Sequence, residues 1–410
     1  MKLMNQPLNG QLGNDLIDLL DSQDYDTLNI VVAFAKSSGV LRIKDSLDKF
    51  RRGGGTVNAF LGVDLGVTSY EALTALLLCT DTLSVVHSEK SQTFHTKIYQ
   101  FLGKEKGMIV VGSHNLTGGG LWTNFESSAH IPIDISNPDS AGLLEEQEEY
   151  FNVLASLTDS IMPIESKEDV DKLLKNGYIS KEVSQQVRQR QANKLNENVN
   201  PERLFGNGVP ATLPRISEPS KDKVTAGPSL TDEQEIDKII EQSKTIWFET
   251  RRLTGGSRNI LDLSMRSLVE KGDPKGTPFD LDDPRFMRGG VEFFGINPSS
   301  TDVRKDITLN FEGVDYAHNT ILFPTGDSAN GTWRLQIKGV SSSEEKITDA
   351  FRSKGEQHYL VQKVVTFTKV TDDYYSIAVF PESELKNFET ASSILARNGA
   401  TKSAKLLGLL

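Results

Sequence analysis

Apolar and polar positions along the chain repeat with two different periods. In the first 160 residues, unbroken apolar runs trade places with helix-spaced ones. LNIVVAFAK, beginning at Leu28, is a continuous run of the kind buried on both faces of a sheet. LRIKDSLDKFRRGG follows, with Leu41, Ile43, Leu47 and Phe50 at helical spacing and glycines at its end. VNAFLGVDL and LSVVHS read as further strands and SYEALTALLLC as a second helix. Phe94 to Phe101 and Met108 to Val111 are rich in aromatic and β-branched residues; with the polar loop Gly103 to Gly107 between them they predict a hairpin. The pattern predicts an α/β sandwich over residues 1–165. The loop Gly62 to Gly66 has no nucleotide-binding spacing and reads as a turn.

Residues 166–229 change character. Val170, Leu173, Leu174, Val183 and Val187 leave a weak helical stripe, and five prolines between Pro201 and Pro228 mark an extended linker. Residues 230–410 open with a capping box, Thr231 to Gln234, before the helix DEQEIDKIIEQ. Short alternating strands then dominate: TIWFET, ITLNF, NTILF, TWRLQI, YLVQKVVTFTKV and YYSIAVF. They predict a small barrel or sandwich. The tail from Glu384 to Leu410 reads as helical, broken at Gly399.

Composition sharpens this only in places. The formal net charge is −11, which argues against indiscriminate binding of polyanions. Residues 1–165 hold 11 Lys+Arg against 21 Asp+Glu, a net of −10, so a grip on nucleic acid is expected from basic clusters in the last third. The lone Cys79 excludes an internal disulfide and a cysteine-built zinc site, and reads as a buried, inert thiol. No apolar run approaches a membrane span or a signal peptide, so a cytoplasmic location is expected.

The hairpin carries candidate chemistry. His95 and Lys97 are followed, eighteen residues on, by Ser113 and Asn115. With the hairpin symmetric about Glu105, His95 faces Asn115, Lys97 faces Ser113, and all four side chains share one face. An imidazole, a cation and two neutral hydrogen-bonding groups suit a phosphodiester, which needs its charge neutralised and donors on its oxygens. His114 alternates to the opposite face and reads as structural; His87 and His130 lack partner spacing and are assigned nothing.

His95-x-Lys97 followed by Gly112-Ser113-x-Asn115 resembles the signature of the phospholipase D superfamily. Where the usual signature has an aspartate this chain has Leu102, and Glu126 lies eleven residues after Asn115. That variant resembles the nuclease branch, in particular metal-independent restriction endonucleases. The resemblance implies that His95 attacks phosphorus. Lys97 and Asn115 would hold the non-bridging oxygens with help from Ser113, and Glu126 would orient or charge-balance a histidine. It implies no metal and no cofactor for the chemistry. One signature supplies one histidine, so it also implies a homodimer through the catalytic domain, with the symmetry-related His95 as general acid.

Two basic, glycine-interrupted stretches stand out later. ETRRLTGGSRNILDL groups Arg251, Arg252, Thr254, Ser257, Arg258 and Asn259; GDSANGTWRLQI groups Asn330, Trp333 and Arg334. Arginine and asparagine make the bidentate contacts that read guanine and adenine edges. With the surrounding β pattern they resemble a B3-like DNA-binding domain, an open pseudobarrel. An α/β phospholipase D-like nuclease domain followed by a mainly-β B3-like pseudobarrel domain resembles the restriction endonucleases of the NgoAVII/CglI type. Double-stranded DNA is then the expected substrate. A separate helicase-like NTPase subunit would bring any ATP dependence, and a cognate methyltransferase would be functionally associated. Two other readings are open: a lipid or small phosphodiester hydrolase, and a non-enzymatic DNA-binding regulator.

Overall fold

The computed structural model describes residues 1–90, 92–195, 208–209, 211–214, 216, 245–250, 259–326, 331–354 and 358–410. Two compact units divide the chain between Glu182 and Val183, with the described residues of 208–216 belonging to the first.

The first unit runs β1 (Lys2–Gln6), α1 (Leu12–Asp21), β2 (Thr27–Val32), α2 (Ser37–Arg52), β3 (Thr56–Gly62), α3 (Tyr70–Cys79) and β4 (Thr82–Val86). It continues with β5 (Lys97–Leu102), β6 (Lys106–Gly112), β7 (Glu126–Asp134), α4 (Pro138–Ser156), β8 (Ile161–Pro163) and α5 (Lys167–Lys175). One eight-stranded sheet has the order β1-β7-β6-β5-β2-β3-β4-β8. β2, β3 and β4 are parallel because helices return the chain between them; the other pairings are antiparallel. The apolar runs read as strands are buried as expected, with Ile30, Val31 and Val32 at 0% exposure. α4 covers one face, where Tyr150, Phe151 and Leu154 pack with Val31, Phe60 and Phe94. The other face lies under α1, α2 and α3, whose buried residues include Leu16, Leu47 and Leu73. Cys79 is fully buried, and burial pushes its thiol up to about 12.

The unit extends past residue 165. α5 packs on α3, burying Val170, and the Tyr70 hydroxyl donates to Asp171 at 2.8 Å. The Glu182 carboxylate caps the starts of two helices. It accepts the Ser37 amide at 2.7 Å, the Ser37 hydroxyl at 2.8 Å and the Ser69 hydroxyl at 2.8 Å. Beside it, buried Glu71 accepts the Glu182 amide at 3.0 Å. Burial, and then the Glu182 charge, raise Glu71 to about 7.

The second unit comprises α6 (Glu182–Leu195, from Val183), β9 (Thr245–Glu249), β10 (Ile260–Leu263), β11 (Arg266–Lys271), β12 (Phe286–Arg288), β13 (Arg304–Phe311) and β14 (Val314–Leu322). Then come β15 (Trp333–Gln336), α7 (Ile347–Arg352), β16 (Lys363–Lys369), β17 (Tyr374–Pro381), α8 (Leu385–Ala391), β18 (Ile394–Arg397) and β19 (Leu406–Leu409). Eleven strands form one sheet, ordered β10-β15-β14-β13-β17-β16-β9-β19-β18-β11-β12. Only Ser264 and Met265 separate β10 from β11 in sequence, though they stand on opposite flanks of the sheet. The sheet therefore rolls until its flanks meet. Among the described residues β10 and β11 do not pair, so the roll stays open. The Asn398 amide bridges the seam, accepting the Ser264 N–H at 2.9 Å and donating to the Asp262 carbonyl at 2.7 Å.

The tail is mostly not helical. Only α8 is; β18 and β19 form a hairpin that pairs with β9. Leu407 and Leu409 enter the core beside Ile246 and Phe248, a burial that outweighs the helical propensity of the run. Gly408 is required there, since a Cβ would lie 2.4 Å from the Trp247 indole nitrogen. The capping box at Thr231, its helix and most of the proline-rich linker lie outside the described residues.

Candidate active site

The hairpin registers one residue away from the expected symmetry. Ile98 faces Val111 and Tyr99 faces Val110, which places Lys97 across from Gly112. The Gly103 N–H donating to the Lys106 carbonyl closes a shorter turn than the glycine spacing suggested. His95 and residues 113–115 therefore lie beyond the paired strands, at the edge where β2 and β3 end. There the chain after β6 lies along the end of β2: the Leu116 N–H donates to the Phe34 carbonyl and the Lys36 N–H to the Leu116 carbonyl, both at 3.0 Å. The Asn115 side-chain oxygen accepts the Phe34 N–H at 3.1 Å. The Phe34 ring in turn stands edge-on to the His95 imidazole, 6.0 Å between centroids. Asn115 and His95 thus meet through Phe34 without relying on a shared strand face.

Lys97 is 7% exposed, and its Nζ lies 2.9 Å from His95 Nδ1 while donating to the His95 carbonyl at 2.7 Å. Burial holds the ammonium below the usual lysine range, opposed by the negative charge of Glu126. An ammonium only donates, so Nδ1 accepts and the ring proton sits on Nε2 in this resting arrangement. Ser113 donates its hydroxyl to Glu126, and the Asn124 amide donates to the other carboxylate oxygen at 3.3 Å. Among the described residues Glu126 bonds to Ser113 and Asn124, and its negative charge acts both on Lys97 and on the buried His114 imidazole.

His114 is buried. Its Nδ1 donates to the Gly120 carbonyl at 2.8 Å and its Nε2 accepts from the Ser128 hydroxyl at 3.1 Å. Burial keeps this imidazole below its ordinary range, as suits a structural residue. Gln6, buried at the end of β1, supports the same turn: its amide nitrogen reaches the carbonyls of Gly119 (3.2 Å), Gly120 (3.1 Å) and Asn124 (3.1 Å). Among the described residues no group of three or more His, Cys, Asp or Glu could hold a metal ion, and no helix is long and apolar enough to cross a membrane.

Of the expected DNA-contacting residues, Arg251, Arg252, Thr254, Ser257, Arg258 and Asn330 lie outside the described residues. Trp333 does not belong with a contact surface. It is 0% exposed, packs edge-on against Phe323, and donates its indole N–H to the Pro298 carbonyl at 2.9 Å. Arg334, on the other face of β15, lies 3.8 Å from Asp262, and the Asn259 carbonyl accepts the Ile337 N–H at 2.8 Å. Sequence reasoning passed over Asp64 and Asn124 and assigned His87 nothing; Asp64 stands two residues past the end of β3 and His87 one past the end of β4.

No protein-family model and no curated protein matches the chain. Among solved structures it is similar to Nuc, a phospholipase D family member from Salmonella typhimurium (15% identity, TM-score 0.30, covering 40% of this chain and 97% of that one). It is also similar to NucT from Helicobacter pylori (15%, 0.29, 38% and 95%). A third is polyphosphate kinase from Porphyromonas gingivalis (11%, 0.29, 40% and 24%). The matched region spans about a quarter of the kinase and nearly all of Nuc and NucT.

Proposed function

We propose that the first unit is a phosphodiesterase of the phospholipase D superfamily and that its substrate is DNA. One observation carries the reading: His95, Lys97, Ser113, Asn115 and Glu126, spread over 32 positions of sequence, gather at one strand-end edge around a histidine and a buried ammonium. In the resting site Lys97 occupies the Nδ1 lone pair of His95. A phosphate oxygen competes for that ammonium, so substrate binding frees an imidazole nitrogen as it neutralises the phosphate. The nitrogen attacks phosphorus; a P–N bond forms and a P–O bond breaks. The departing oxygen takes a proton from a second histidine acting as an imidazolium, His95 of a second copy across a two-fold; the neutral imidazole left behind then takes a proton from the water that cleaves the P–N bond. The Asn115 amide steadies a phosphoryl oxygen, and Ser113 donates to one when its hydroxyl turns from Glu126 to the substrate; Glu126 sustains the Lys97 charge.

The rolled β unit is read as the B3-like sequence reader of a restriction endonuclease. Arg334 and the residues around 251–259 and 330 would meet the duplex, and a helicase-like NTPase partner would supply any ATP dependence. The deciding experiment incubates plasmid with the purified chain alone in EDTA and, in a separate arm, with magnesium, ATP and an NTPase encoded nearby. Cleavage that survives chelation and vanishes in His95→Ala is expected. Cleavage abolished by chelation in a folded protein would overturn the mechanism. Turnover of a phosphatidyl substrate but not DNA would overturn the substrate assignment.

A further inference from the structure

Asp64 stands two residues beyond β3, 8% exposed, with both carboxylate oxygens in use. Oδ1 lies 2.7 Å from Nδ1 of His87, and Oδ2 accepts the backbone N–H of Phe94 at 2.8 Å. Phe94 immediately precedes His95. A carboxylate only accepts, so His87 Nδ1 carries the proton it donates. His87 is itself fixed: its backbone N–H donates to the Ser160 carbonyl at 2.9 Å, and its ring stands at a steep angle to that of Tyr178 with centroids 5.3 Å apart.

The turn that aims Asp64 is strained. Leu65 (φ 59°) and Gly66 (φ 61°) are both left-handed. That conformation costs a leucine about 1–2 kcal/mol, and Leu65 is 85% exposed, so packing does not offset it. Strain of this kind persists where the surroundings over-determine it, and it gathers at functional sites. The surroundings here are stitched tightly. The Thr68 hydroxyl donates to the Gly62 carbonyl at 2.5 Å and accepts the Ala35 N–H at 3.2 Å. At Gly62 a Cβ would lie 2.6 Å from the Ala33 carbonyl and 3.2 Å from that of Phe94.

On the reading that His95 is the nucleophile, we propose that Asp64 is its positioning residue, with His87 holding the carboxylate in aim. The nucleophile is then braced from two strands. From β2, Asn115 fixes Phe34, whose ring meets the imidazole; from β3, Asp64 fixes the amide one residue before it. A charge-assisted bond to an amide suits the task, being short and directional.

The test compares Asp64→Ala, Asp64→Asn and His87→Ala in the full chain, by cleavage kinetics and by hydrogen exchange at the Phe94 amide. Asp64→Ala is expected to lower kcat about 10–100-fold, the scale of a misplaced reacting group, with KM within about twofold. Exchange at Phe94 should accelerate at least about tenfold, the loss of one hydrogen bond. In Asp64→Asn the side-chain carbonyl still accepts the Phe94 N–H, so both protection and kcat should return to within about threefold of wild type. His87→Ala should fall between the two. Unchanged exchange in Asp64→Ala, or faster exchange with unchanged kcat, overturns the proposal; so does a KM effect alone. A wild-type chain inactive on every phosphodiester would sink the nucleophile reading instead. Exchange at Phe94 would still decide the brace.

Discussion

Ser113 donates its hydroxyl to Glu126, and the Ser127 amide donates back to the same hydroxyl oxygen at 3.1 Å. The serine is thereby pinned between a carboxylate and a strand. The carboxylate has a second effect, on Lys97. Burial lowers the Lys97 ammonium and Glu126 opposes that lowering.

Removing the Glu126 charge should therefore lower Lys97 further. The ammonium is present below its pKa and lost as pH rises through it. Glu126→Gln is expected to move the alkaline limb of the cleavage pH–rate profile to lower pH, while Ser113→Ala lowers the plateau without moving the limb. An alkaline limb unmoved in Glu126→Gln would refute the coupling.

Lys97→Met separates activity from stability. The desolvated ammonium disappears, and a side chain of similar length fills the slot. Cleavage should fall by at least about 100-fold, while the first unit gains on the order of 0.5–2 kcal/mol in urea unfolding. A destabilised Lys97→Met would mean that the bond to the His95 carbonyl outweighs the burial cost.

The Glu71–Glu182 pair sets a pH dependence of stability. Glu71 titrates higher in the fold than in the open chain. Its contribution is fully present below the unfolded carboxylate range, near pH 4.5, and is lost as pH rises through about 7. Glu71→Gln keeps an acceptor for the Glu182 amide without the charge. The mutant's thermal midpoint should hold between pH 5 and pH 8 where the wild type's declines, a difference on the order of 1–3 kcal/mol. Parallel Tm curves for the two proteins would contradict this.

Trp333 and Arg334 are neighbours with opposite expected phenotypes. Trp333→Ala should cost the second unit about 3–5 kcal/mol in denaturant unfolding, as a large core truncation does. Arg334→Ala, losing among the described residues a 3.8 Å pairing with Asp262, should change stability by less than about 0.5 kcal/mol. Comparable losses in the two would place both side chains in the core.

The first sheet was legible where burial was continuous: β2, β3 and β4 follow from unbroken apolar runs. β1 escaped as a short edge strand, and β7, paired between β1 and β6, escaped because SSAHIPID mixes polar and apolar residues, so that pairing rather than continuous burial decides it. The site was legible as a list and not as a geometry. His95 and Asn115 do not face one another across the hairpin; a detour through the Phe34 amide, which no spacing encodes, unites them. Asp64 stayed hidden for the same reason, since its partners at 87 and 94 follow from strand order. Leu406 to Leu410 looked helical because a short apolar run carries no period of its own; only its neighbours Ile246 and Phe248 decide it.

Gln6 lies 89 positions upstream of His95, yet its amide is what three carbonyls of the turn behind Asn115 lean on. A shortened gene begun at Leu8 would encode every residue of the signature and omit the strut beneath it. Trimming that end for expression or crystallisation is therefore not cosmetic, and a fusion partner is better attached elsewhere on the molecule.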